Sequence, residues 1–380
     1  MRGETSMPTM TLDDEMPQRA RFHGRQDYYD DIGFTLIAES EGCDILMGEF
    51  FYIFQGGPSR PRSQWLGDGV ANNSLQIIVP SERRNGGLYD NDFSRTGMSI
   101  PQYYAHDELK ITRETDRVIW SLGDVRYVCR PPVWELKGRH GEAEYDLTFR
   151  QLPHPVVWSY GTFESAEKTG IGAGYCYLSC EGTLRVAGKT YPIRNGRGVH
   201  ERLAHSESSV LDMAVVPRKH DTGEGGGFCI QGLGSDPLIW MMGRPDDPMA
   251  FLSVQGRQID YLPALGKGSV RYTTTERWFD PRSGLYMPSR WHVRCDSPEG
   301  TLDLEIRGHG RGYYPWEMKR GYQIMLWILA TANGEFQYPD GHVTLIRDEL
   351  VLHEDVKNIV VHTETMNGPD RSEERRVRKE

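Results

Sequence analysis

From Ile32 onward the chain is cut into short runs of about 5–10 residues, rich in β-branched and aromatic side chains and closed by Gly, Pro, Asn or Asp. GEFFYIFQ (48–55) ends at Gly56-Gly57-Pro58, and SLQIIVP (74–80) follows a Gly-Asn loop. DRVIWSLGDVRYVCR (116–130) carries a Gly-Asp turn at its centre and reads as a hairpin. EYDLTFRQL (144–152) alternates, with Tyr145, Leu147 and Phe149 on one face and Asp146, Thr148 and Arg150 on the other. The apolar stretch 324–332 is short enough for a strand and is flanked by Gly321 and Asn333-Gly334, so it is read as strand rather than helix. No long segment repeats every 3.6 residues. The expected fold is therefore all-β, built from antiparallel sandwiches or barrels, not alternating β and α.

A chain of 380 residues is long enough for two such units. The expected division is a disordered N-terminus over 1–25, β domains over 26–215 and 216–362, and a disordered charged tail over 363–380. The polar loop RKHDTGEGGG (218–227) marks the region of the change. The net charge of −10 offers no pull toward phosphate backbones or anionic lipid, so no nucleic-acid partner is expected. No run of about 18 apolar residues occurs, so no membrane span is expected. The first residues hold no apolar leader segment, which points to the cytoplasm. There the six scattered cysteines would be reduced and mostly buried.

The chemistry-bearing motifs fail on spacing or context. HERLAH (200–205) places its two His five apart, not the four that a helical zinc site needs. Gly170, Gly172 and Gly174 lead into a strand, whereas a phosphate cradle opens a helix. Cys176 and Cys180 have no second pair to complete a zinc site. There is no GxSxG elbow and no Walker sequence. No metal and no cofactor are expected.

Three segments carry a resemblance: YDLTFRQLPHPVVWSYG (145–161), YCYLSCEGTLRVAGKTYPIRNGRGVHERL (175–203) and ERWFDPRSGLYMPSRWHVRCDSPEGTLDLEIRG (276–308). In this order they resemble the superfamily of carotenoid 1,2-hydratase (hydroxyneurosporene synthase) and the AttH-like proteins, which includes lipocalin-like Diels-Alderases. The resemblance implies two lipocalin-like antiparallel β-barrel or sandwich domains packed side by side. It also implies a cofactor-independent lyase or isomerase that hydrates, dehydrates or cyclises a hydrophobic terpenoid, polyketide or aromatic metabolite. Where that superfamily has a Trp-x-Asp-His signature, this chain reads Val199-His200-Glu201-Arg202. Glu201 stands at the acid and Arg202 at the His.

Alkene protonation needs a carboxylic acid kept neutral near pH 7, and burial among aromatics pushes a carboxyl that way. Glu201 is the first candidate acid, with a structural ion pair to Arg202 as the plain alternative. Glu276, beside Trp278, is the second. His200 is the candidate base or hydrogen-bond donor, with simple packing as the plain alternative. Arg202, Trp240, Trp278, Tyr286, Trp291 and Tyr313 are the candidate substrate-binding residues. The loop 85–104 is long and rich in Tyr and Asp, as a lid would be. A non-catalytic carrier of a hydrophobic small molecule would need the same cavity without an acid in it, and a homodimer is left open.

Overall fold

The structure, a computed structural model, describes residues 9–22, 28–55, 69–80, 102–158, 161–206, 228–232, 238–244, 247–255, 257–280, 285–318 and 321–360. The first sheet contains β1 (Tyr28–Ser40), β2 (Cys43–Gln55), β3 (Gly69–Pro80), β4 (Gln102–Tyr104), β5 (Lys110–Arg113), β6 (Val118–Leu122) and β7 (Val125–Arg130). It continues with β8 (Val133–His140), β9 (Ala143–Gln151), β10 (Val157–Trp158), β11 (Ile171–Val186) and β12 (Lys189–His205); the short helix α1 (Phe163–Thr169) precedes β11. The second sheet contains β13 (Phe228–Gly232), β14 (Leu238–Arg244), β15 (Asp247–Val254), β16 (Arg257–Tyr261), β17 (Ser269–Asp280) and β18 (Leu285–Ser297). It ends with β19 (Gly300–Met318), β20 (Gly321–Gln337) and β21 (Val343–Val360).

Hydrogen bonding orders the first sheet β4-β3-β2-β1-β12-β11-β9-β8-β7-β6-β5, with β10 beside β11. The second runs β16-β15-β14-β13-β21-β20-β19-β18-β17. Each sheet curls on itself. Phe51 on β2 stacks on Tyr127 of β7 at 4.4 Å, although many strands separate them in the sheet. In the second sheet the Tyr261 hydroxyl of β16 donates to the carbonyl of Gly300 on β19 at 3.0 Å, drawing the two ends of the sheet together. The result is the all-β architecture expected from the run lengths, in the lipocalin-like form that the resemblance implies.

Burial patterns explain why some strands alternate in sequence and others do not. β9 faces a core on one side only, so its burial alternates. In β1 both faces are covered, so the run is buried almost throughout. Its even-numbered residues Ile32, Phe34 and Leu36 join the interior of the first barrel. Ile37 points the other way, into a seam between the sheets, where Phe50, Tyr52, Leu75 and Ile77 meet Trp240, Phe251, Trp327 and Leu329. A third cluster, including Trp291, Ile306 and Ile328, fills the second barrel. Close approach across the seam depends on Gly48, where a Cβ would collide with the Trp327 ring. Within the first sheet, Gly33 leaves room for the ring of Phe50, its partner on β2.

The hairpin expected over 116–130 is present as β6 and β7, and 324–332 lies within strand β20. HERLAH lies in extended β12, and Gly170 is the left-handed cap of α1 that leads into β11. The proposed lid (through residue 101), the loop 218–227 and the tail 363–380 lie outside the described residues. The expectation of disorder over 1–25 requires a correction. Within it, residues 9–22 are packed: Met10, Glu15, Gln18 and Phe22 are each at most 3% exposed. Polar composition suggested a solvated end, but buried polar partners in the first barrel hold this segment. No helix among the described residues is long and apolar enough to cross a membrane.

Candidate active site in the seam

Consecutive residues of a strand point to opposite faces, so β12 divides the signature segment between two environments. His200 and Arg202 enter the first barrel, and Glu201 enters the seam.

Inside the barrel, residues 14–18 form a plug. The Glu15 carboxylate accepts from Trp134 Nε1 at 2.8 Å and faces His200 Nε2 at 3.1 Å. His200 Nδ1 faces the Gly33 carbonyl at 2.9 Å, and Trp120 Nε1 donates to the Glu15 carbonyl at 2.9 Å. Burial alone would raise the Glu15 pKa, but the His200 and Arg202 charges and the Trp134 bond lower it overall. Arg202 is fully buried. It donates to Asp30 Oδ1 at 2.6 Å, to the Asp31 carbonyl, and to the carbonyls of Asp14 and Met16 at 2.9 Å each. His200 and Arg202 are therefore engaged by the chain's own N-terminal segment, and the acid that Arg202 pairs with is Asp30, not Glu201.

On the other face, β1 and β12 pair Asp31 with Leu203 and Gly33 with Glu201, which sets Asp31 and Glu201 diagonally on adjacent strands. Asp31 is 2% exposed; it accepts from the Tyr29 hydroxyl at 2.8 Å and from the Leu203 amide at 3.1 Å. Loss of hydration pushes its carboxyl up to about 8, against the opposing pull of those hydrogen bonds and of Arg202. Glu201 is raised well above the usual carboxylate range, first by burial and then by the like charges of Asp31 and Glu354. Two carboxyls so placed titrate as a pair and retain a proton at neutral pH.

Around them stand aromatic rings. Tyr175, the strand partner of Glu201, packs on Trp240 at 4.2 Å. Tyr29 lies 4.7 Å from His205 and 6.0 Å from Tyr52, and Phe50 stacks on Tyr52 at 5.7 Å. Trp240 is 1% exposed, and its indole N–H has no hydrogen-bond partner among the described residues. Tyr29, Glu201, Leu203 and Glu354 are only partly buried, so the acid pair lies beside the solvent edge of the seam.

The other sequence candidates fall elsewhere. Glu276 is half exposed and 3.6 Å from Arg290 in an ion pair. Tyr286 is 65% exposed. Trp278, Trp291 and Tyr313 belong to the interior of the second barrel. Of the named candidates, the seam gathers Glu201 and Trp240. Sequence reasoning missed Asp31, Glu15 and Glu49. Asp31 had a signal, since Asp30-Asp31 interrupts the apolar run YYDDIGFTLI.

Glu49, likewise embedded in GEFFYIFQ, points into the first barrel. It accepts from Asn72 Nδ2 at 2.6 Å and the Tyr127 hydroxyl at 3.1 Å, and burial pushes its carboxyl up to about 7. A folded-state pKa above the unfolded value means that the fold binds the extra proton, so this contribution to stability falls as pH rises through that window. Glu49→Gln is expected to match wild type near pH 4.5. By pH 8 it should exceed wild type by up to about 3 kcal/mol in urea unfolding. A constant difference between the two proteins across that range would refute the assignment.

Among the described residues no group of three or more His, Cys, Asp or Glu could hold a metal ion. No family model matches the chain, and no curated protein matches it. Solved structures do. A protein of Nitrosomonas europaea described as AttH aligns with TM-score 0.55 at 12% identity, covering 95% of this chain and 99% of its own. CghA in complex with Sch210972 aligns with TM-score 0.56 at 12% identity, over 89% and 90%. Kievitone hydratase from Nectria haematococca aligns with TM-score 0.52 at 9% identity, over 94% and 95%. Full-length coverage on both sides means that both sheets and their order along the chain are shared. The chain has the AttH-like, lipocalin-like fold that its three sequence segments resemble.

Proposed function

We propose that this chain is a cofactor-independent lyase or isomerase that hydrates, dehydrates or cyclises a hydrophobic terpenoid, polyketide or aromatic metabolite in the seam. The observation that carries the reading is the Asp31–Glu201 pair: two carboxyls on adjacent strands, both with raised proton affinity, among Tyr29, Tyr52, Tyr175 and Trp240. The pair serves as general acid, delivering its proton to an alkene or carbonyl carried by the substrate. Developing positive charge is met by the faces of Tyr175 and Trp240. The Trp240 N–H, which has no partner among the described residues, is a donor for a substrate oxygen. Two neighbours support the class: one is a hydratase by name, and another was solved with a small molecule. The plug of residues 14–18 fills the part of the first barrel where a carrier would hold its ligand, which favours the seam as the place of binding.

The test is untargeted mass spectrometry of small molecules co-purifying with wild type and with Glu201→Gln. A product in the wild type and its precursor in the variant support the enzyme, and the mass difference names the reaction. The same unchanged apolar compound in both would sink it in favour of a carrier.

A further inference from the structure

Strand β1 carries the same unit on both of its faces: a tyrosine, and two positions later an aspartate whose carboxyl accepts from the tyrosine hydroxyl. On the barrel face Tyr28 donates to Asp30 Oδ2, and Arg202 donates to Asp30 Oδ1 at 2.6 Å. Tyr28 and Asp30 are both buried, so this unit is sealed and its carboxylate is held by a cation. On the seam face Tyr29 donates to Asp31 Oδ2 at 2.8 Å, and the other oxygen accepts from the Leu203 amide at 3.1 Å. Asp31 is buried as well, so water does not reach its carboxyl directly. An acid that gives up a proton in every turnover must nevertheless recover one from water. Its two partners differ in what they can pass on: an amide N–H only donates, whereas a hydroxyl donates and accepts at once. Tyr29 is also only partly buried, at the solvent edge of the seam. Glu201 reaches the same edge, but it lies diagonally across the strand pair and no hydrogen bond joins it to Asp31 among the described residues.

We infer that Tyr29 is the proton outlet of the seam: its hydroxyl passes the Asp31 proton to the substrate and returns one from solvent afterwards. In the outward step the Asp31 O–H bond breaks and an O–H bond forms at Tyr29 Oη, while the hydroxyl's own proton leaves for the substrate. The phenol ends neutral and a carboxylate remains on Asp31. In the return step a solvent proton enters at Oη and the hydroxyl proton goes back to Asp31. Tyr29 never has to ionise, and burial with the neighbouring Asp31 charge pushes its pKa well up, against ionisation. The titratable and charged groups around the unit come from three strands. Tyr52 of β2 stands at 6.0 Å from the Tyr29 ring, and His205 of β12 stacks on it at 4.7 Å. Glu201 of β12 and Glu354 of β21 face the unit along the seam, and Asp30 and Arg202 act on Asp31 from the barrel side. The inference rests on the acid reading of the Asp31–Glu201 pair. It adds that the substrate touches Tyr29 rather than Asp31, which makes Tyr29 a catalytic residue.

The experiment needs no substrate, because deuterium from heavy water is the probe. The full chain is transferred to heavy water at pH 7, and the infrared band of the protonated seam carboxyl is followed as its proton exchanges. Each protein is referenced to the same protein carrying Asp31→Asn/Glu201→Gln, which isolates that band. Tyr29→Phe, which keeps the ring and loses the hydroxyl, should exchange at least about tenfold more slowly than wild type, the loss of one hydrogen-bonded step. Its band should also persist to higher pH than the wild-type midpoint of about 8, because the ionised form loses a donor. Tyr28→Phe, the same change on the sealed face, should exchange no more slowly than wild type. A second measurement uses wild type alone. Exchange through Tyr29 is indifferent to urea below the unfolding transition, whereas exchange through opening of β1 accelerates with it. A band that exchanges equally fast in Tyr29→Phe, or a wild-type rate that climbs with urea, overturns the outlet and leaves the acid pair standing. A wild type with no such band at pH 7 overturns the acid reading and the outlet together.

Discussion

Replacing Arg202 with methionine is expected to lower folding stability by about 3–5 kcal/mol, measured by urea unfolding at pH 7. The methionine fills much of the same space, so the loss comes from charge and hydrogen bonds. Asp30 would stay fully buried without its cation, and the carbonyls of Asp14, Met16 and Asp31 would each lose a donor. The N-terminal segment would then be released from the barrel, because Arg202 is one of its main attachments. The Gln18 amide also donates to Asp30, at 2.7 Å. Adding Asp30→Asn to the Arg202 variant should cost much less than the sum of the two single changes, since the pair is removed together. Full additivity would show that the two residues do not act as a pair.

Glu201→Gln and Asp31→Asn are each expected to reduce kcat roughly 10²–10⁴-fold, the range for a lost general acid, with a much smaller change in KM. Both substitutions keep size and shape. Since burial raises both carboxyls, their charged forms oppose folding at high pH, and the neutral variants should be at least as stable as wild type above pH 8. Lost activity with retained or improved stability is the signature of a group kept for chemistry rather than for structure. The acid works only while protonated, so wild-type kcat should decline as pH rises through about 8. A rate that climbs through that range would assign the pair to a base.

The fold was largely legible. Turn residues at short intervals and the alternation of 144–152 gave strands and their faces, and family-like segments gave the two-barrel plan. The site was legible only in part. Reading 200–205 as a strand already separates Glu201 from His200 and Arg202, because neighbours on a strand face opposite ways. That same reading makes an ion pair between Glu201 and Arg202 geometrically awkward, and Arg202 indeed takes Asp30. Glu15 was hidden because its partners lie more than a hundred residues away: Trp120, Trp134, His200 and Arg202 are brought to it only by closure of the sheet. Local polarity then argued for a disordered end. Trp278, Trp291 and Tyr313 looked like one aromatic pocket with Trp240, but strand parity sends Trp240 to the seam and the other three to the second barrel.

A proton held in the seam at neutral pH is the central requirement of the proposed chemistry, and infrared difference spectroscopy observes it directly. The carbonyl stretch of a protonated carboxyl should be present at pH 7 in wild type and fade as pH passes about 8. The wild-type minus Asp31→Asn/Glu201→Gln difference should contain that band, separating it from the Glu49 contribution common to both. If the difference shows only ionised carboxylate at pH 7, Asp31 and Glu201 are both charged and the seam holds no acid.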